Sequence, residues 1–318
     1  MFPFLLYAAN EHGTPIRLDI SGGTNVSWSL SYEYLDQVLL PALERNFTGI
    51  RVERSLKARG WSLGKLMRGK IEFVIHPLKP GESLHARYPE GELLPPGDPE
   101  VVGIDVSIVA PWAMQESLKE SLVQNLGDLF HEADVEFKVV EDSGEDTRVY
   151  VLLVAKSEAG LRWGRDILTS VPKKSRGKGV KAAASFSQDV SLKVCKELFD
   201  EVSTRGVVDE FLQDQLVIFQ ALAEGRSSFP RTVSKEGEQD KEDGLEAAMD
   251  GLDLGISERL RKDKTHEPFG EGSTHTTTAR WVVSELLPRV QWFNKGRICE
   301  GIGMYPEEKS PVQELSQN

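Results

Sequence analysis

The sequence predicts an α/β (α+β) protein in which sheets are backed by helices. Three observations carry that expectation: short apolar runs alternate with a period of two, longer runs repeat their apolar residues at helical spacing, and the two kinds interleave along the chain. With 318 residues and 39% hydrophobic content, the chain can bury a substantial core in one large or two ordinary domains.

Residues 2–9 and 16–20 read as short strands around the turn Asn10-Glu-His-Gly-Thr-Pro15. A strand placed almost at the first residue leads us to expect that a preceding portion is missing from this version of the chain. The Gly22-Gly23 pair opens a polar turn; it lets backbone amides approach a ligand, and a plain turn is the simpler reading. Residues 32–47 predict an amphipathic helix presenting Leu35, Val38, Leu39, Ala42 and Leu43, with Pro41 placed to bend it. Residues 50–57 and 70–76 alternate like paired strands. Residues 77–99, rich in Pro and Gly, read as an irregular connection and a domain boundary.

Residues 101–109 predict a strand, and 115–130 a helix through Leu118, Leu122, Leu126 and Leu129. Strands at 135–140 and 148–155 flank the acidic turn 141–146, and a helix follows at 191–202. Together they form a βαββα unit of about 100 residues, large enough for a small domain of its own. Residues 207–223 make the strongest helix. Asp214 and Gln215 fall midway among Phe211, Leu212, Leu216, Val217 and Phe219, which require burial, so one of the two polar groups can face a site; a solvated helix face is the plainer alternative. Residues 226–264 are charged and poor in aromatics and read as a disordered or weakly helical acidic insertion, with a short helix at 245–254. A helix start at 274–280, a strand at 297–302 and a polar tail from Tyr305 complete the chain.

The formal net charge is −12, and residues 234–256, with eight acids against two lysines, supply −6 of it. The balance argues against nonspecific coating of DNA, while Lys173, Lys174, Arg176, Lys178 and Lys181 gather enough charge for a local nucleic-acid contact or a solvated loop. Cys195 and Cys299 lie far apart without metal or redox spacing, which predicts free thiols in a reducing compartment. No apolar run reaches membrane-span length.

The stretch Glu271-Gly-Ser-Thr-His-Thr-Thr-Thr-Ala-Arg280 sets His275 among four threonines, directly before an apolar helical run. Taken with Gly206-Val-Val-Asp-Glu-Phe-Leu-Gln-Asp-Gln-Leu-Val-Ile-Phe-Gln-Ala-Leu-Ala223, it resembles the C-terminal half of RNA 3′-terminal phosphate cyclases. The likeness extends to Gly22-Gly-Thr-Asn25, Arg59-Gly60 and Glu300-Gly-Ile-Gly-Met304, and covers most of the chain apart from the acidic insertion and the tail. The resemblance implies a large domain of βαβ-type repeats, residues 1–99 and 204–318, with its first repeat missing. Residues 100–203 fall where that family carries an inserted domain, similar to the C-terminal domain of a bacterial translation initiation factor.

By the same resemblance His275 takes AMP from ATP as the catalytic nucleophile, and Phe211, Asp214, Gln215 and Leu30 line the nucleotide. Mg²⁺ or Mn²⁺ assists, and the partner is RNA with a 3′-phosphate end. The family usually has Tyr where Phe211 stands and Pro where Leu30 stands. Its Arg-Gly pair leads into proline and glycines, where this chain has Leu63-Gly-Lys-Leu-Met-Arg-Gly69. Arg59, Lys65 and Arg68 therefore read as a solvated basic turn that can also touch RNA backbone. The resemblance implies a nuclear (nucleoplasmic) protein, with the cytoplasm as an alternative, and self-association as one way to cover an exposed sheet. A second reading stays open: a non-catalytic cyclase-like factor that binds RNA in ribosome assembly.

Overall fold

The computed structural model describes residues 6–8, 14–61, 68–87, 100–172, 180–231, 262–263, 269–270 and 272–306. It is a mixed α/β molecule with three sheets backed by helices. The first sheet has three antiparallel strands in the order β1 (Ile16–Gly22), β4 (Gly69–Ile75), β3 (Val52–Ala58). Phe73 of β4 stands opposite Leu18 of β1 and Arg54 of β3, which fixes the buried face by alternation. The expected pair of strands is thus present, with β1 added at its far edge.

Helix α1 follows β1 as three continuous pieces: Tyr32–Tyr34, a π-helical turn Leu35–Leu39, and Leu40–Asn46. Ser31 caps it by accepting from the Tyr34 amide at 3.0 Å. Pro41 supplies no N–H for the carbonyl of Gln37, four residues back. That carbonyl instead accepts from Arg162 Nη1 at 3.0 Å, so the proline's lost bond becomes a tie to a distant strand.

The second sheet has the order β7 (Asp134–Asp142), β6 (Val101–Ala110), β8 (Arg148–Ser157), β9 (Arg162–Ser170). Helix α2 (Trp112–Leu129) crosses over between the parallel pair β6 and β7, and α3 (Val180–Val202) follows β9. β9 is a strand that the sequence did not announce, so the unit reads βαβββα rather than βαββα. Its run Arg-Trp-Gly-Arg-Asp-Ile-Leu lacks clean alternation because Arg162, Arg165 and Asp166 interrupt it. α3 begins well before the expected residue 191.

β8 is buried almost continuously because both faces of this sheet are covered. Leu118, Leu122, Leu126, Val194 and Leu198 of α2 and α3 pack as part of the core. On the α1 side, Gln37 Nε2 donates to Ser107 Oγ at 2.8 Å, and the Ser31 and Tyr150 hydroxyls meet at 2.5 Å. Gly164 is required here, since a Cβ would lie 2.6 Å from the Tyr34 ring.

The third sheet runs β11 (Gln291–Phe293), β12 (Ile298–Ile302), β10 (Glu224–Ser228), β5 (His85–Ala86), β2 (Phe47–Thr48). Helices α4 (Glu210–Leu222) and α5 (Thr274–Leu286) pack together over a second core containing Val217, Ala221, Val283 and Trp292. Residues 226–228 pair with β12, so the acidic insertion starts later than the composition suggested. The expected helix at 245–254 lies outside the described residues. So does most of the strand expected at 2–9, of which Leu6, Tyr7 and Ala8 are described and form no strand. Both cysteines are free and buried; burial pushes the Cys195 thiol up to about 12 and Cys299 higher still, as suits inert core groups.

Candidate active site

The site is built where α4 meets the start of α5. α4 begins at Asp209, whose Oδ1 accepts from the amides of Phe211 (3.0 Å) and Leu212 (2.9 Å) and from the Tyr34 hydroxyl (2.6 Å). Its Oδ2 accepts from the Gly164 amide at 2.7 Å. One carboxylate thus fixes α4 to α1 and β9. Burial raises its pKa to about 6, against the lowering effect of these donors.

α5 begins at Ser273, whose side chain accepts from the Thr276 amide at 3.2 Å. His275 therefore sits in the first helical turn, exposed, and the turn expected before the helix is already helix. Thr278 Oγ1 donates back to the Thr274 carbonyl at 2.7 Å, which stacks these two side chains one turn apart.

Between the helices lies a cleft of about 550 Å³ lined by Asp214, Gln215, Ile218, Thr274, His275 and Thr278, with Val217, Ala279, Val282 and Val283 as its apolar lining. Asp214 is half-buried. Burial raises its pKa, while the Gln215 amide, donating at 2.9 Å, and the charge of His275 oppose the rise. The arrangement joins an accessible imidazole, a half-buried carboxyl group, the Thr274 hydroxyl and the first amides of a helix, a combination suited to holding anionic phosphate beside a nucleophile. Among the described residues no group of three or more His, Cys, Asp or Glu side chains is placed to hold a metal ion.

The structure therefore brings together His275, Asp214 and Gln215. Phe211 lies one turn earlier on the same stripe of α4, and its half-open ring meets Tyr34 edge-on with centroids 6.1 Å apart. Leu30 packs half-buried against the main core and is not among the residues lining the cleft. Thr274 and Thr278 were not singled out in the sequence, although their four-residue spacing is a signal that could have found them. Tyr34 carried no such signal, because its contact with Phe211 spans separate elements.

The glycine turn does not line this cleft. Thr24 and Asn25 amides donate to the Gly60 carbonyl at 2.8 and 3.2 Å, and Asn25 Nδ2 donates to Glu33 Oε2 at 2.6 Å. Arg59 closes the cluster with bonds to Glu33 (2.6 Å), Asn25 (2.9 Å) and Glu141 (2.6 Å). Burial alone would lower the Arg59 pKa, and the two glutamates reverse that and raise it. Arg59 is thus a buried structural cation, which corrects its reading as part of a solvated turn. Gly60 is needed because a Cβ there would lie 2.2 Å from the Gly69 nitrogen. Arg68 is exposed, while Lys65 and the cluster Lys173, Lys174, Arg176, Lys178 lie outside the described residues.

The profile of the RNA 3′-terminal phosphate cyclase family matches residues 1–240. That match includes Phe211, Asp214 and Gln215 and ends before His275. The RNA 3′-terminal phosphate cyclase of Thermococcus onnurineus is 30% identical over 210 residues, 65% of this chain and 54% of that protein. The protein of that name from Pyrobaculum aerophilum is 28% identical over 227 residues, 71% of this chain and 57% of its own length. The one from Drosophila melanogaster is 26% identical over 244 residues, 71% of this chain and 56% of its own. The chain spans about half the length of the curated relatives it matches.

Proposed function

The chain belongs to the RNA 3′-terminal phosphate cyclase family, and from that premise we propose that it converts an RNA 3′-phosphate into a 2′,3′-cyclic phosphate with ATP, through a covalent AMP on His275. The observation that carries the reading is the meeting of His275 with Asp214 and Gln215 in one cleft at a helix N-terminus.

An imidazole nitrogen of His275 would attack the α-phosphorus of ATP, forming a P–N bond while the bond to pyrophosphate breaks. The Thr274 and His275 amides at the start of α5 and the Thr274 hydroxyl would hold the phosphate oxygens. An RNA 3′-phosphate oxygen then takes AMP from the histidine. The neighbouring 2′-hydroxyl attacks the activated phosphorus, releasing AMP and closing the ring, helped by its intramolecular position. Asp214 is the carboxylate among the described lining residues, and one carboxylate beside a triphosphate suits Mg²⁺ or Mn²⁺ carried in with the phosphates. When bound, that ion would neutralise charge on the departing pyrophosphate.

Phe211 would stack the base; the family resemblance assigns Leu30 to the same nucleotide, although it packs against the core and does not line the cleft. The same reading assigns residues 1–99 and 204–318 to a cyclase-like core and 100–203 to an inserted unit. It places the protein in the nucleus, acting in RNA processing. Among the described residues no helix is long and apolar enough to cross a membrane. Strands β1 and β3 border the three-stranded sheet and offer an edge for self-association, which sedimentation as a clean monomer would disprove.

The test is chemical. Incubation with ATP, a divalent metal and an RNA bearing a 3′-phosphate should make the RNA end resistant to phosphatase. An unchanged end from folded protein, with RNA still cross-linked in the absence of nucleotide, would favour the non-catalytic RNA-binding reading.

A further inference from the structure

Arg165 stands in the middle of β9 and is only 8% exposed. Its guanidinium lies over the Phe211 ring with Cζ 4.7 Å from the centroid, a distance at which a π face holds a cation. Behind the ring the same group is fixed: Nη2 donates to Glu201, near the end of α3, and to Glu210 Oε2 at 3.4 Å. Glu201, 2% exposed, is shared with Arg231, whose Nε and Nη2 reach it at 2.9 and 3.0 Å. Two arginines thus meet two glutamates, and the buried charge is balanced. Tyr34 packs perpendicular to the ring, at an interplanar angle of 86° with centroids 6.1 Å apart. With Arg165 and Tyr34 both against it, Phe211 remains 39% exposed, on the stripe of α4 that continues through Asp214 into the cleft.

We propose that Arg165 is a positioning residue for the nucleotide base: it clamps Phe211 from one side so that the opposite face becomes a fixed platform on which a purine stacks. The four-stranded unit thereby contributes to a site otherwise built by α4 and α5. The inference rests on the reading of the cleft as an ATP site. An unclamped phenyl ring samples other rotamers, and a base stacking on it must first order it. The clamp removes that cost without touching the nucleotide.

The experiment compares equilibrium binding of ATP and of base-free inorganic tripolyphosphate to the full chain. Arg165→Met keeps the length and removes the charge; it should weaken ATP binding roughly fivefold and leave tripolyphosphate unchanged. Arg165→Lys should recover part of the loss. In a Phe211→Leu background, Arg165→Met should add nothing, because its effect passes through the ring. In turnover the loss should fall on KM for ATP with kcat unchanged. Should Arg165→Met fold poorly, Glu210→Gln loosens the clamp while leaving the Arg165–Glu201 pair, and should weaken ATP alone in the same direction. Unchanged ATP affinity in a folded variant, equal losses for ATP and tripolyphosphate, or additive losses in the double variant would each overturn the proposal. A parent chain that binds ATP no better than tripolyphosphate would overturn the reading of the cleft, and this inference with it.

Discussion

Asp209 carries more structure than any other polar residue near the cleft: a helix cap, a tie to Tyr34 and a tie to β9 meet on its two oxygens. Its raised pKa, about 6 against about 3.9 in an unfolded chain, fixes a sign. The folded state holds the proton to higher pH, so the group's contribution is full below pH ~4 and declines as pH rises to ~6, by on the order of 3 kcal/mol. Asp209→Asn keeps an acceptor and carries no charge. Its stability relative to the parent should therefore rise across that window in urea titrations, and a difference that does not vary with pH would refute the assignment. Gly164→Ala should cost about 1–3 kcal/mol, because the new methyl meets the Tyr34 ring; an unchanged melting temperature would contradict the packing. At this scale the sequence disclosed chemistry more readily than contacts. Asp214 and Gln215 stood out as polar residues in an apolar run and His275 through the family resemblance, whereas Arg59 looked solvated because its partners Glu33 and Glu141 are far away along the chain.

Among the elements, those with strong periodicity were legible. α4 and α2 were visible in their apolar stripes, and β3 with β4 in their alternation, because the pattern of burial is written directly into neighbouring residues. β9 was not, since it is held by a sheet buried on both faces and by cross-links from Arg165 and Arg162 that no local pattern encodes. The π-helical turn of α1 was equally hidden: Pro41 marked a disturbance, but its resolution depends on Arg162. α5 depends on Ser273 for its start. Ser273→Ala should cost roughly 1 kcal/mol and speed amide exchange at Thr276, with weaker phosphate binding because the first turn holding His275 frays. Unchanged exchange there would show that the cap does not hold the turn.

Across the whole molecule, one core runs from α1 through the four-stranded sheet to α4. Trp163 of β9 donates through Nε1 to the Gly206 carbonyl at 3.0 Å, directly before α4. This continuity predicts that the four-stranded unit and α1 unfold together, with tryptophan fluorescence and far-ultraviolet dichroism following one transition; two separated transitions would argue for independent units. It also places the cleft at the end of a rigid frame, since α4 is anchored to that core through Asp209. Covalent labelling reads the proposed transfer of AMP to His275. After incubation with ATP labelled at the α-phosphate and a divalent metal, the label should remain on denatured protein, map to the peptide containing the start of α5, and vanish in His275→Ala. Label retained by His275→Ala, or absent from a folded parent that binds ATP, would rule out His275 as the AMP carrier.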